Sequence, residues 1–296
     1  MKQDIRLSDD LLRHMKQLEL YTRRLLKNSL MGQARSNLKG TGFEFDQIRE
    51  YYMGDDVRCI DWNASARMNK LLVKQYVQER IKTVLIAVDV SSSTYSGSDA
   101  YNKWMTHADI ATVLALAAGY SNDMVGLLLF SDTVERYIPP ARGRHRGQFL
   151  MEVLFKHHVQ KNRKTDIGAL LQYAANLHKK DSMMVIISDF IDESFEPHLP
   201  ALSRLYDTVV VRCLSPQERA LNVGGFLVLS DIETGGEHLI DMRKTKAHRI
   251  NAFLKERLEV QEKLFRQNGI DLLDVDQGTD YCADLVAFFK NRMRYV

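Results

Sequence analysis

Thr83-Val-Leu-Ile-Ala-Val-Asp89-Val-Ser91-Ser-Ser93 is the stretch from which the fold can be read. A strand-sized run that is almost wholly apolar suits a strand buried on both faces, as in a parallel sheet covered by helices. Where the run stops it places a carboxylate and two hydroxyls, in the pattern D-x-S-x-S. In α/β folds that position is the carboxyl edge of the sheet, where ligands bind. Asp89, Ser91 and Ser93 offer only oxygen donors, the chemistry of a hard cation. The plainer reading is that the serines cap a following helix.

Outward from this strand, apolar runs alternate with helical stretches. The spacing predicts a helix over 101–121, strands over 124–130 and 134–138, and helices over 147–158 and 167–179. A strand over 183–188, a helix over 197–205 and a strand over 208–214 follow, then a late strand near 270–275 and a helix over 281–292. Continuous apolar strands separated by helices define an α/β class with a mostly parallel sheet flanked by helices. Phe226-Leu-Val-Leu229 and His238-Leu-Ile240 flank a turn with Gly235 and Gly236, which reads as an inserted β-hairpin. The helix expected over 246–267 carries Ile250, Phe253, Leu254, Leu258, Leu264 and Phe265 on one stripe, a core-facing pattern. Near the N-terminus, Leu11, Leu12, Met15, Leu18, Thr22, Leu25 and Leu26 recur at helical spacing, and Gly32 to Gly42 reads as a loop.

The bulk numbers fit a folded protein. The chain has 296 residues, is 45% hydrophobic, and sets 41 Lys and Arg against 38 Asp and Glu. A net charge of +3 is too small to point to nucleic acid. Cys59, Cys213 and Cys282 are dispersed and make no C-x-x-C, which suits a reducing compartment, so a cytoplasmic location is expected. Asp4, Asp9 and Asp10 interrupt any signal-peptide core, and the longest apolar runs fall far below the roughly 20 residues of a membrane span.

Two further oxygen-bearing segments belong near Asp89. Thr165 opens Thr165-Asp-Ile-Gly168 at a helix start, and Asp189 follows the strand Met184-Val-Ile-Ile187-Ser188. With the D-x-S-x-S loop, this order over residues 80–296 resembles a von Willebrand factor A-like domain with a metal-ion-dependent adhesion site. The resemblance implies that the hydroxyls of Ser91, Ser93 and Thr165 coordinate Mg²⁺ or Mn²⁺, with Asp89 and Asp189 acting directly or through water. It also implies that an acidic residue of a partner fills the open position. The chain departs from the pattern in two places. Thr94 stands where many relatives have methionine, and Phe190 follows Asp189 in place of a frequent glycine, which makes Asp192 a second candidate for the late carboxylate.

Residues 40–80 read Gly-Thr-Gly-Phe-Glu-Phe45, then Arg49-Glu-Tyr-Tyr52, Gly54-Asp-Asp-Val-Arg58, Ile60-Asp-Trp62 and Ala66-Arg67. This order resembles the signature of the bacterial family called domain of unknown function fifty-eight. Members are commonly encoded beside MoxR-type AAA+ ATPases, so the resemblance implies an adaptor or chaperone-like partner of such an ATPase. The expected division is 1–40 (helix and loop), 41–79 (the signature segment) and 80–296 (the von Willebrand A-like domain). In the signature segment Glu44, Asp46, Arg49, Glu50, Asp55, Asp56, Arg58, Asp61 and Arg67 surround Phe43, Phe45, Tyr51, Tyr52 and Trp62. The mixture suggests an ion-paired collar packed on the main domain, or an interaction surface.

Arg136, Arg142, Arg144, Arg146, Lys156, Lys161, Arg163 and Lys164 form a basic stretch, either a solvated face or a dock for acidic or phosphate groups. No motif for DNA reading, nucleotide binding or hydrolysis occurs, so nucleic acid is not expected as a partner and no catalytic residue is assigned. His107, His157 and His178 read as surface or core residues. Three functions stay open: a noncatalytic metal-dependent interaction module, a metal-dependent hydrolase, and a scaffold whose cation site is unused.

Overall fold

The computed structural model describes residues 13–22, 39–40, 44–77, 82–95, 103–143, 145–158, 163–177, 182–192, 194–221, 226–230, 237–241, 244–278 and 281–292. The chain divides into two compact units, Met1–Leu25 with Lys82–Val296, and Leu26–Ile81.

The smaller unit holds three strands, β1 (Lys39–Gly40), β2 (Glu44–Glu50) and β3 (Leu72–Val77), paired antiparallel in the order β1-β3-β2. A helix, Trp62–Met68, precedes β3, and the Asp61 carboxylate caps it by accepting from the Asn63 and Ala64 amides. The charge-rich signature therefore pairs internally. Arg49 holds Asp55 with two hydrogen bonds of 2.6 and 2.7 Å, and Lys74 lies 3.2 Å from Asp61. Tyr52 and Trp62 are 67% and 64% exposed. Phe43 lies outside the described residues.

In the larger unit the sheet is built from β4 (Thr83–Asp89), β5 (Met124–Phe130), β6 (Val134–Ala141), β7 (Ser182–Ser188), β8 (Tyr206–Leu214) and β11 (Asp271–Asp276). Their order is β11-β8-β7-β4-β5-β6, with every neighbouring pair parallel except β5 and β6. The class is the one the apolar runs indicate: α/β, mostly parallel, helices on both sides. Pro139 and Pro140 sit in β6 at the edge of the sheet, the place where a missing amide donor is tolerated.

Alternation along β4 sorts the core into two layers. Ile86 and Val88 face a cluster with Trp104, Ala108 and Leu150, while Leu85 and Ala87 face one with Ile167, Leu171, Phe195 and Phe265. The first layer lies under helices Lys103–Tyr120, Arg146–Phe155 and Tyr281–Arg292; the second lies under Ile167–Asn176, Leu199–Leu205 and Lys244–Gln267. Residues 13–22 are helical and join the first layer through Met15 and Leu18. There His14 Nε2 lies 2.7 Å from Asp109 Oδ1, and Asp109 Oδ2 accepts from Tyr281 Oη.

The hairpin is present as β9 (Phe226–Ser230) and β10 (Glu237–Asp241), antiparallel and separate from the main sheet. One reading of the long helix needs correction. Phe253 is 64% exposed and Val260 is 52% exposed, while Gln261 is buried, so the apolar stripe is only partly core. Gln261 replaces it there because its side chain bonds Phe190 O and Arg212.

Candidate functional site

The strand order reverses direction between β4 and β7, the two strands from which connections run to opposite sides of the sheet. A crevice opens at such a switch point beyond the carboxyl ends of the strands. Asp89 ends β4, and Asp189 directly follows β7. Both are almost fully buried.

Asp89 is held by its own neighbourhood. Its Oδ1 accepts from the Ser91 amide at 2.9 Å, and its Oδ2 accepts from the Ser188 hydroxyl at 2.7 Å. Burial, followed by the nearby Asp189 charge, pushes its pKa up to about 7. Behind it His107 is fully buried, with Nδ1 3.3 Å from the Asp89 carbonyl, and burial holds its pKa down to about 4. At neutral pH this imidazole is uncharged.

The loop after β4 turns into a 3-10 helix, Ser92–Tyr95. Ser91 Oγ and Ser93 Oγ lie 3.0 Å apart, and the Thr94 hydroxyl donates to Ser91 O at 2.7 Å. Thr94 is thus fully buried and committed to the turn, which gives its hydroxyl a structural use.

The loop bearing Thr165 is fastened on both sides. Ser92 and Arg163 exchange two hydrogen bonds, Ser92 N to Arg163 O at 2.9 Å and Arg163 N to Ser92 Oγ at 2.8 Å. The Asp166 amide then donates to Ser131 O, just beyond β5. Thr165 lies between these attachments and is half-buried. Asp166 caps the helix Ile167–Asn176 through the Ala169 amide.

Asp189 and Asp192 have different jobs. Asp192 accepts from the Ile167 and Ser194 amides, so it closes the start of the same helix. Asp189 Oδ1 accepts from the Ile191 amide at 3.3 Å, and its Oδ2 accepts from Lys103 Nζ at 2.9 Å. Phe190, directly after Asp189, has φ +52°, a left-handed backbone that a bulky side chain rarely adopts. This conformation is one that glycine adopts without strain. Here the Phe190 ring packs edge-on against Phe195 and Phe265 at 5.4 and 5.3 Å, and its carbonyl accepts from Gln261 and Arg257.

Lys103 was not among the residues singled out from sequence. It begins its helix with its side chain 6% exposed, donating to Asp189 and also to Glu218 Oε1. Burial opposes its charge, but Asp189 and Glu218 outweigh burial and hold the ammonium above its ordinary pKa. Glu218 Oε2 in turn accepts from the Ser215 amide. The segment Ser215-Pro-Gln-Glu218 is a capping-box pattern, the one local signal by which Glu218 could be found. Ser188 and His107 carried no such signal.

The donor set fits a hard divalent cation. The Ser91 and Ser93 oxygens are separated by about the 2.9 Å expected between neighbouring oxygens around Mg²⁺ at 2.0–2.1 Å. The crevice also carries more carboxylate than ammonium. Among the described residues no group of three or more His, Cys, Asp and Glu is arranged as a metal cage, so hydroxyls would have to supply much of the coordination.

The basic stretch is largely engaged within the fold. Arg163 pairs with Asp132 at 2.9 Å, Lys156 with Glu152 at 3.2 Å, and Arg146 donates to Val125 O and Pro139 O. His157 lies 3.4 Å from Glu135. Arg144, Lys161 and His178 lie outside the described residues. No helix among the described residues is long and apolar enough to cross a membrane.

A family model described as "Protein of unknown function DUF58" matches residues 47–262. The uncharacterised proteins Mb1516 of Mycobacterium bovis and Rv1480 of Mycobacterium tuberculosis are each 26% identical over 295 residues, covering 95% of this chain and 89% of their own. Among solved structures, the conserved hypothetical protein BatB from Bacteroides thetaiotaomicron is 12% identical with a TM-score of 0.48, covering 73% of this chain and 100% of its own. The SpRpn10 VWA domain is 12% identical with a TM-score of 0.39, covering 70% and 94%.

Proposed function

The chain belongs to the DUF58 family of proteins of unknown function, and we propose that it is a noncatalytic interaction module whose contact with a partner is completed by a divalent cation. Asp89, Ser91, Ser93, Thr165 and Asp189 would hold Mg²⁺ or Mn²⁺. The cation, when bound, supplies an electrophilic position for a carboxylate of the partner. The observation that carries the reading is the convergence of two hydroxyls 3.0 Å apart and two buried carboxylates at the strand ends.

The protein's own groups prepare that crevice. Ser188 and the Ser91 amide orient Asp89, the Ser92–Arg163 bonds hold the Thr165 loop against the serine loop, and the neutral His107 backs the site without adding charge. None of these groups is arranged as a nucleophile with an adjacent base. A MoxR-type AAA+ ATPase, or a client protein presenting an Asp or Glu, is the partner class that the family resemblance implies, with the module acting in the cytoplasm as an adaptor or chaperone-like factor.

Calorimetric titration of Mg²⁺ and Mn²⁺ into wild type, Asp89→Ala and Ser91→Ala tests the site. Binding by wild type that both variants lose is expected. A cation affinity untouched by either change would end this assignment. In a binding assay with a MoxR-type ATPase, chelation and Asp89→Ala should weaken the contact alike.

A further inference from the structure

We propose that Lys103 acts as a built-in competitor that sets how tightly the crevice holds a divalent cation, with Glu218 as its electrostatic counterweight. The inference rests on the cation reading given above, and it concerns two residues that the reading does not use as ligands.

The geometry is specific. Lys103 Nζ lies 2.9 Å from Asp189 Oδ2, and the same ammonium bonds Glu218 Oε1. Its side chain is 6% exposed and that of Asp189 is 1% exposed, so bulk water screens the pair little. One oxygen of Asp189 is therefore already occupied by a positive charge, and a second cation nearby meets repulsion from it. Glu218 acts in the opposite sense. It divides the Lys103 charge between two carboxylates and leaves Asp189 less completely neutralised.

Charge counting makes this quantitative. Fully ionised, Asp89, Asp189 and Glu218 against Lys103 leave an excess of two negative charges. Lys103→Met raises that excess to three, and Glu218→Gln lowers it to one. The double variant restores it to two with both groups gone. Lys103 is 86 residues from Asp189 and 115 from Glu218 in the chain, so none of this is a local sequence property.

The four proteins are titrated with Mn²⁺ and with Mg²⁺ by calorimetry at one fixed pH and ionic strength. Unit charges a few ångströms from a cation in a partly buried site change affinity by an order of magnitude or more, so Lys103→Met should bind about tenfold tighter than wild type. Glu218→Gln should bind about threefold or more weaker, and the double variant should return close to wild type. A wild type too weak to titrate beside a Lys103→Met that binds would support the same conclusion. If Lys103→Met fails to fold, with two buried carboxylates left unpaired, Glu218→Gln and the double variant still give the ordering. Equal affinity in all four, or weaker binding in Lys103→Met, overturns the competitor role alone. No binding by any of the four sinks the cation reading and this inference together.

Discussion

The Ser188 hydroxyl donates to Asp89 Oδ2 across 2.7 Å, tying together the ends of two neighbouring parallel strands whose residues lie 99 apart in the chain. Both side chains are fully buried. The bond gives the Asp89 carboxylate a fixed orientation, and it uses a residue of β7 that local sequence marks only as a strand end.

Ser188→Ala leaves one oxygen of a buried carboxylate without its donor. A loss of about 1–3 kcal/mol in unfolding free energy is expected. Urea denaturation with an unchanged m-value would report it, and a variant as stable as wild type would show that the bond contributes little.

Phe190 offers a reversal of a common rule. Alanine is normally the safer replacement, but at φ +52° it keeps the left-handed strain that glycine relieves. Both Phe190→Ala and Phe190→Gly lose the ring and should fall by about 3–5 kcal/mol. The strain of about 1–2 kcal/mol exceeds the entropic cost of glycine, so the glycine variant should be the more stable by about 0.5–1 kcal/mol. Parallel denaturation curves decide the order.

The helix at 13–22 should dock in a pH-dependent way. His14 has a raised pKa, chiefly because it is hydrogen-bonded to Asp109, against the effect of burial. A group whose folded pKa is raised contributes stability fully below its ordinary value near 6.5 and loses it as pH rises through the folded value. Amide protection over 13–22, corrected for intrinsic exchange, should therefore fall as pH rises above 6.5. Asp109→Asn should flatten the trend; an unchanged profile in that variant would assign it elsewhere.

Gly147 is required by close packing. A Cβ there would lie 2.7 Å from Ala115 O and 2.8 Å from Leu116 Cα, backbone atoms of a facing helix that cannot swing aside. Gly147→Ala should cost about 1–3 kcal/mol. Cation binding should survive, since the contact lies outside the crevice; thermal unfolding and the same calorimetric titration check the two halves.

What the sequence determined by itself was whatever neighbouring residues decide. The run Thr83–Val88 reads as a buried strand because nearly every side chain in it is apolar, and Met124–Phe130 and Ser182–Ser188 follow the same logic. The order of Asp89, Ser91, Ser93, Thr165 and Asp189 was visible for the same reason, as each ends a strand, follows one, or opens a helix. The three-stranded sheet in Leu26–Ile81 was not, because charges interrupt its strands and its partners pair antiparallel across a helix. Only the tertiary structure decided that Asp192 serves as a helix cap, that Gln261 displaces apolar residues from the helix core face, and that Lys103 meets Asp189 and Glu218. Those pairings join residues tens to more than a hundred positions apart, and a buried charge reveals its role only when the fold delivers its counterion.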